Sequence, residues 1–398
     1  MNPKLASLQA YPFQRLAGLI QGVTPAPKSP IVMSIGEPKH PAPRFVLEAL
    51  AAHLGGLSAY PTTRGMPELR ASIAAWANRR FKLDRLPLDP ERHVLPASGT
   101  REALFSAAQA IVDADAKRPA VIMPNPFYQI YEGAALLAGA EPYFLDTPPP
   151  DYRMDFQSVP EEVLRRTQLV YTCSPGNPTG AVMGREEYVR LLELAERHDF
   201  VVAADECYSE LYFDEDRPPV GLLQVANELG IRDYRRCLVF HSLSKRSNVP
   251  GMRSGFIAGD GVLMQRFFEY RTYHGCTLPG PVQRASMAAW QDEAHVRENR
   301  AAYRAKFDSV LEVLAPVLRV ERPQAGFYLW PETPIDDERF TRELYRRENV
   351  LVLPGRYLSR EARGSDPGKN RVRVALVASF DECREAAERI RDFVQTLS

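Results

Sequence analysis

Apolar residues along the chain fall into two alternating patterns. Short unbroken runs have the length of buried strands: AVIM at 120–123, PYFL at 142–145, LVYT at 169–172, FVVAAD at 200–205, CLVFHS at 237–242 and GFIAG at 255–259. Between them, 101–112, 128–138, the segment VPEEVL and 185–198 place apolar residues every three or four positions, which predicts helices with one buried face. Strands that are apolar throughout must be covered on both sides, so the alternation predicts an α/β fold with a mostly parallel sheet between helices. Ligands in such sheets bind beyond the carboxyl ends of the strands. Beyond Pro279 the pattern changes. A single long helix is predicted over 281–316, then strand-like pieces GFYLW, VLVLP and RVRVALV, then a last helix over 381–397, together a smaller α+β unit. The proline-rich start, with TPAPKSP and GEPKHPAP, predicts an extended arm and no core element. The division expected is therefore an arm over 1–50 that joins the small domain, a large ligand-binding domain over 51–285 and a small C-terminal domain over 286–398.

Composition narrows the function classes. Lys plus Arg and Asp plus Glu both number 50 in 398 residues, so no whole-molecule field draws the protein to nucleic acid or to a membrane surface, and any anion site must be local. No apolar run approaches the roughly 20 residues of a membrane-spanning helix. The N-terminus lacks the pattern of a secretory signal, and the expected location is the cytoplasm. Cys173, Cys207, Cys237, Cys276 and Cys383 form no CxxC and are expected to be free thiols; neither they nor the histidines show metal-ligand spacing.

Four polar segments lie at or after predicted strand ends. In SLSKRSNVPGMRSGF (242–256), Lys245 stands among Ser242, Ser244 and Arg253. A lysine can bond an aldehyde cofactor, and hydroxyls with a guanidinium can fix a phosphate; a solvated basic loop is the plainer alternative. In ADECY, Asp205 ends an apolar strand, where a buried carboxylate needs a cation such as a protonated pyridine nitrogen, with Tyr208 three residues on. A structural aspartate capping a helix or binding a metal is the alternative. SPGNPTG (174–180) is a tight loop presenting Asn177, whose amide can donate to a ring oxygen, or is simply a turn. SGTREAL (98–104) opens a helix whose N–H groups suit an anion, with Thr100 and Arg101 around it; a cap by Ser98 or Thr100 is the alternative.

The four segments in this order resemble the fold-type I, class I and II pyridoxal-phosphate-dependent aminotransferases, over nearly the whole length from Gly36 to Arg373. The resemblance implies a pyridoxal-phosphate transferase fold, a large cofactor-binding domain and a homodimer with shared active sites. It implies that Lys245 bonds the cofactor and shuttles the proton, that Asp205 pairs the ring nitrogen, and that Asn177 and Tyr208 contact the ring oxygen. Ser98, Gly99, Thr100, Arg101, Ser242, Ser244 and Arg253 would bind the phosphate, with Tyr60 reaching the neighbouring subunit's phosphate. Tyr128 would stack on the ring, unless it is a core tyrosine. Arg373 and Gly36 would hold the substrate α-carboxylate, with Arg371 as a competitor for the first role. Ser254 departs from the family's usual apolar residue.

YPFQRL and SKRSNVPGMRSGF resemble bacterial succinyldiaminopimelate aminotransferases, which implies transfer between N-succinyl-LL-2,6-diaminopimelate and 2-oxoglutarate in lysine biosynthesis. Such a substrate needs a second cation, for which Arg15, Lys39 and Arg356 are candidates, or surface charges. Aspartate, aromatic or kynurenine transamination, β-lysis or decarboxylation are open on the same scaffold. A non-catalytic binding protein of this fold is a further alternative. The absence of GxGxxG after the first strand argues against a nicotinamide enzyme.

Overall fold

The computed structural model describes residues 1–275 and 277–397; the expectation for Cys276 lies outside them. Twelve strands are present, β1 (Ile31–Val32), β2 (Val94–Ala97), β3 (Ala120–Asn125), β4 (Glu141–Asp146), β5 (Thr167–Cys173), β6 (Val201–Asp205), β7 (Cys237–Ser242), β8 (Gly255–Gly259), β9 (Tyr328–Leu329), β10 (Val350–Leu351), β11 (Leu353–Pro354) and β12 (Val372–Ala375). A seven-stranded sheet runs in the order β2-β8-β7-β6-β5-β3-β4. Only β8 opposes its neighbours; the pairings from β7 through β4 are parallel. The fold is the expected α/β arrangement.

Alternation along these strands divides the core. Ile122, Val170, Val202, Ala204 and Val239 face one layer with Trp76 and Trp290. Val121, Met123, Leu169, Ala203, Leu238 and Phe240 face the other, against helices Thr100–Ile111 and Ile130–Ala138. Because β2, β3, β6, β7 and β8 are buried along their whole length, a ligand reaches them at the strand ends, and that is where the site forms.

Two small sheets, β1 from the N-terminal segment with β10 in parallel and β11-β12-β9 in antiparallel, lie over a separate cluster that includes Phe307, Phe340, Val374, Ile390 and Phe393. Two expectations are corrected here. The helix over 281–316 is two helices, Gly280–Gln291 and Ala294–Leu314. At the break Asp292 is extended, its carboxylate accepts from the His295 amide at 3.0 Å, and its carbonyl accepts from Arg246 at 3.0 Å. The start is not simply an extended arm. Helix Pro12–Ile20 buries Leu16 beside Trp330 and Tyr357, and helix Arg44–Ala52 buries Val46 in the main core. Proline at the first helical position favours a helix and does not break one.

Candidate active site

The carboxyl ends of β5, β6 and β7 open onto a cavity of about 520 Å³, lined by Tyr128, Asn177, Asp205, Tyr208, Ser242, Ser244, Lys245, Arg253 and Arg373 among others. Asp205 closes β6 and is buried. Its Oδ2 accepts from the Tyr131 hydroxyl at 2.6 Å and its Oδ1 from the Cys207 amide at 3.2 Å. No cation is ion-paired with it among the described residues, and burial raises its pKa, opposed by the bonds from Cys207 and Tyr131.

Ser242 closes β7. Its Oγ accepts from the Ser244 amide at 3.1 Å and caps the one-turn helix Leu243–Arg246, which presents Lys245 to the cavity. Lys245 Nζ donates to the Gly36 carbonyl at 2.7 Å. Burial first, with Arg373 and Arg253 adding to it, lowers the Lys245 pKa to about 8, against the opposing influence of Cys207 and Glu37.

Arg253 lies across Gly99, whose φ of +95° favours glycine, and a Cβ there would come within 2.2 Å of the Arg253 Nη2 and displace that guanidinium. Arg253 pairs with Glu102 at 3.2 Å. Gly99 is also the N-cap of helix Thr100–Ile111 and no side chain caps it, so the alternative of a cap by Ser98 or Thr100 does not hold. Thr100 Oγ1 instead accepts from the Cys207 thiol at 3.1 Å. Thr100 and Arg101 line the cavity, whereas Ser98 does not. The Arg101 side chain donates to the hydroxyls of Tyr128 at 3.1 Å and Tyr11 at 3.3 Å.

Arg373 is buried, donates to Asn177 Oδ1 at 3.0 Å and the Ser34 carbonyl at 2.7 Å, and packs on Tyr328; its buried Nε has no partner among the described residues. Arg371 is instead tied to Glu332 at 2.5 Å and to the Trp330 carbonyl, off the cavity. Asn177 spends its oxygen on Arg373, which leaves its amide N–H groups for a ligand.

Over residues 28–390 the chain matches the family model for aminotransferase class I and II. The chain belongs to that family. It is a pyridoxal-phosphate-dependent transaminase. It is 30% identical to the LL-diaminopimelate aminotransferase of Syntrophobacter fumaroxidans, an alignment covering 98% of this chain and 97% of the other. Among solved structures it is similar to an aminotransferase from Neisseria meningitidis, 47% identical with a TM-score of 0.94 over 99% of this chain and 100% of the other. It is also similar to a probable N-succinyldiaminopimelate aminotransferase from Thermus thermophilus, 28% identical with a TM-score of 0.84 over 96% and 99%.

The aminotransferase cavity fits its cofactor and an amino-acid substrate by the chemistry of two incomplete groups, one for each. A buried carboxylate without an ion pair, Asp205, suits a pyridinium, and a buried guanidinium with an orphaned Nε, Arg373, suits a carboxylate. Three residues of this arrangement escaped sequence reasoning. Tyr131 donates to Asp205 and stacks on Tyr171, Tyr328 bonds Tyr208 at 3.0 Å and underlies Arg373, and Cys207 bonds Thr100. Each is recognisable only from partners distant in sequence.

Tyr60 does not line this cavity and is 99% exposed. The candidates for a second substrate cation are corrected. Arg15 lies over Tyr357 and 3.9 Å from Glu338, and Arg356 is held by Asp337 at 2.6 Å and by Asp336. Neither they nor Lys39 lines the cavity. Ser254 hydrogen-bonds the buried Ser286 hydroxyl at 2.7 Å, which accounts for a polar residue at that position.

Proposed function

We propose that this aminotransferase moves the amino group of N-succinyl-LL-2,6-diaminopimelate to 2-oxoglutarate, in the cytoplasm, as a homodimer. The observation that carries the substrate is the pair of cavity guanidiniums without a carboxylate partner among the described residues, Arg373 at the buried floor and Arg101 towards solvent. Arg253 and Lys245, the other cations of the lining, are engaged by Glu102 and by the Gly36 carbonyl. Two guanidiniums bonded to neutral groups alone suit a substrate anionic at both ends, with the α-carboxylate on Arg373 and the succinyl carboxylate on Arg101. The distal end of unmodified LL-diaminopimelate carries an ammonium beside its carboxylate. Glu102, the carboxylate next to Arg101, is already paired, which leaves Glu37 of the lining as the carboxylate for that ammonium. Similarity to the enzyme named for LL-diaminopimelate keeps that donor as the second reading.

Bound pyridoxal phosphate supplies an aldehyde carbon for the substrate nitrogen and a ring that takes up the electron pair left by the α-proton. Lys245 would bond that carbon, and its freed amine would carry the proton of the substrate α-carbon. Asp205 would hold the ring nitrogen protonated, with Tyr131 and the Cys207 amide favouring its anionic form. Tyr128 would cover the ring, and Asn177 and Tyr208 would serve its oxygen. Ser242, Ser244, Arg253 and the backbone at Gly99 and Thr100 would hold the phosphate. Arg373, oriented by Asn177 and Ser34, fixes the α-carboxylate, with Gly36 beside it.

The test is the absorbance spectrum between about 300 and 500 nm on adding each donor. Bleaching of the cofactor band by N-succinyl-LL-diaminopimelate at micromolar to millimolar concentration, with glutamate doing the same, is expected. Bleaching by LL-diaminopimelate and glutamate alone would transfer the assignment to the second reading.

A further inference from the structure

A largely buried polar chain outside the cavity lining ends on the main chain of Lys245. Lys306, 2% exposed on helix Ala294–Leu314, donates from Nζ to the carbonyls of Leu376 and Ala378 and to His40 Nε2 at 2.6 Å. His40 Nδ1 lies 2.8 Å from Asn299 Oδ1, which also accepts from Asn248 Nδ2 at 3.0 Å. Asn299 Nδ2 donates to the main-chain carbonyl of Lys245 at 3.3 Å.

The direction of every bond is determined. An ammonium only donates, so His40 Nε2 must accept, and its proton is on Nδ1, facing the Asn299 oxygen. Reversing the Asn299 amide would set its oxygen against the Lys245 carbonyl and its NH₂ against that of Asn248. Reversing His40 would aim an N–H at the ammonium. The chain therefore reads one way, from Lys306 through His40 and Asn299 to Lys245, with a neutral imidazole. Burial lowers the His40 pKa, assisted by Lys306 and opposed by the bond to Asn299.

The same segment grips Lys245 at its other end. Gly36, four residues before His40, accepts from Lys245 Nζ, and Ser34 accepts from Arg373. Asn299 and Lys306 are two helical turns apart on one face of their helix. Lys245 is thus tied at its backbone carbonyl by Asn299 and at its side chain by the 34–40 segment, and His40 joins the two ties.

We infer that His40, Asn299 and Lys306 form a positioning network that sets the placement of Lys245 for proton transfer. The inference rests on Lys245 being the cofactor-bonding lysine, not on which donor the enzyme uses. None of the three residues lines the cavity, so they act through Lys245 and the 34–40 segment.

The test compares His40→Leu, His40→Gln and Asn299→Asp with the wild-type holoenzyme, using glutamate as donor. Glutamine keeps a donor and an acceptor, leucine keeps neither, and aspartate puts an oxygen against the Lys245 carbonyl. The expected result for His40→Leu and Asn299→Asp is a kcat about tenfold lower per bound cofactor with KM within about threefold, the pattern of a displaced reacting group. The pH midpoint of the cofactor's absorbance band should move by about half a unit or more, since it reports the surroundings of Lys245. His40→Gln should recover most of both. The inference is overturned if the variants lose melting temperature while kcat per bound cofactor and the absorbance midpoint stay at wild-type values, or if glutamine restores no more than leucine. If His40→Leu does not fold, Asn299→Asp and His40→Gln alone decide by the same two readouts. A protein with no cofactor band at all would instead remove the role of Lys245 on which the inference rests.

Discussion

Lys245 illustrates how the surroundings of one residue set its chemistry. Burial and the guanidiniums of Arg373 and Arg253 disfavour its ammonium form, and the pKa falls to about 8. Only the neutral amine bonds an aldehyde, so capture of pyridoxal phosphate by the apoenzyme should quicken with pH and level off near 8; an ordinary lysine would level off near 10.5. Stopped-flow absorbance checks this, and a rate still climbing above pH 9 would contradict it. The same shift bears on stability. The folded pKa lies below the unfolded one, so between about 8 and 10.5 the unfolded chain holds more protons and stability rises with pH. Below about pH 8 the cost of the buried charge is fully present. Apo Lys245→Met should therefore gain roughly 1–3 kcal/mol at pH 7 in urea unfolding, a gain that fades towards pH 10.5. Asp205 is the mirror case. Its pKa is raised by burial and held back by Cys207 and Tyr131. Removing the 2.6 Å bond in Tyr131→Phe should weaken cofactor binding about tenfold or more, as loss of a bond to a charged group does, read by titrating the apoenzyme.

At the scale of elements, a loop glycine shows how two segments are brought into contact. A Cβ on Gly36 would lie 1.9 Å from the Tyr328 hydroxyl oxygen and 2.7 Å from the ring carbon that bears it. Tyr328 cannot yield freely, because it bonds Tyr208 and supports Arg373. Gly36→Ala should raise KM for glutamate about tenfold and cost about 1–3 kcal/mol, the range of overpacked positions. Adding Tyr328→Phe should relieve only part of it, because the ring carbon still obstructs. Steady-state kinetics with thermal melts read both effects. Elements of the large sheet were legible because an apolar run bounded by turns admits little but a covered strand: 237–242 and 255–259 have the expected limits in β7 and β8. The small sheets were not, since β9, β10 and β11 are two residues each, too short for a period to appear. The break at Asp292 was hidden because Gln, Asp, Glu and Ala all suit a helix, and Arg246, far away in sequence, helps fix the turn. For the site, residues next to strand ends could be found from the chain alone. Tyr131, Tyr328 and the His40 to Asn299 link are tertiary and left no local signal.

At the scale of the whole molecule, Tyr60 is the residue whose place the single chain does not explain. It is 99% exposed, it follows Leu54 and Leu57 in the sequence, exposed at 52% and 64%, and it lines a surface hollow of about 570 Å³ with Ala59, Pro61, Met66 and Gly280 among others. An aromatic and two leucines left open together mark an interaction surface, in accord with the proposed homodimer in which Tyr60 completes the neighbouring subunit's phosphate site. Two-fold symmetry makes this testable without a structure of the pair. Lys245→Ala and Tyr60→Ala each disable the homodimer in which both chains carry them. In a mixed dimer, a Tyr60 that acts across the interface places both defects in one site and leaves the other wild type. A Tyr60 that acts within its own chain gives each site one defect and leaves none intact. Equal mixing yields half mixed dimers, so action across the interface predicts recovery of about a quarter of wild-type activity, and action within the chain predicts none. Sedimentation of the wild-type protein as a monomer, or a mixture no more active than its parts, would remove Tyr60 from the neighbouring subunit's site and leave each phosphate to residues of its own chain.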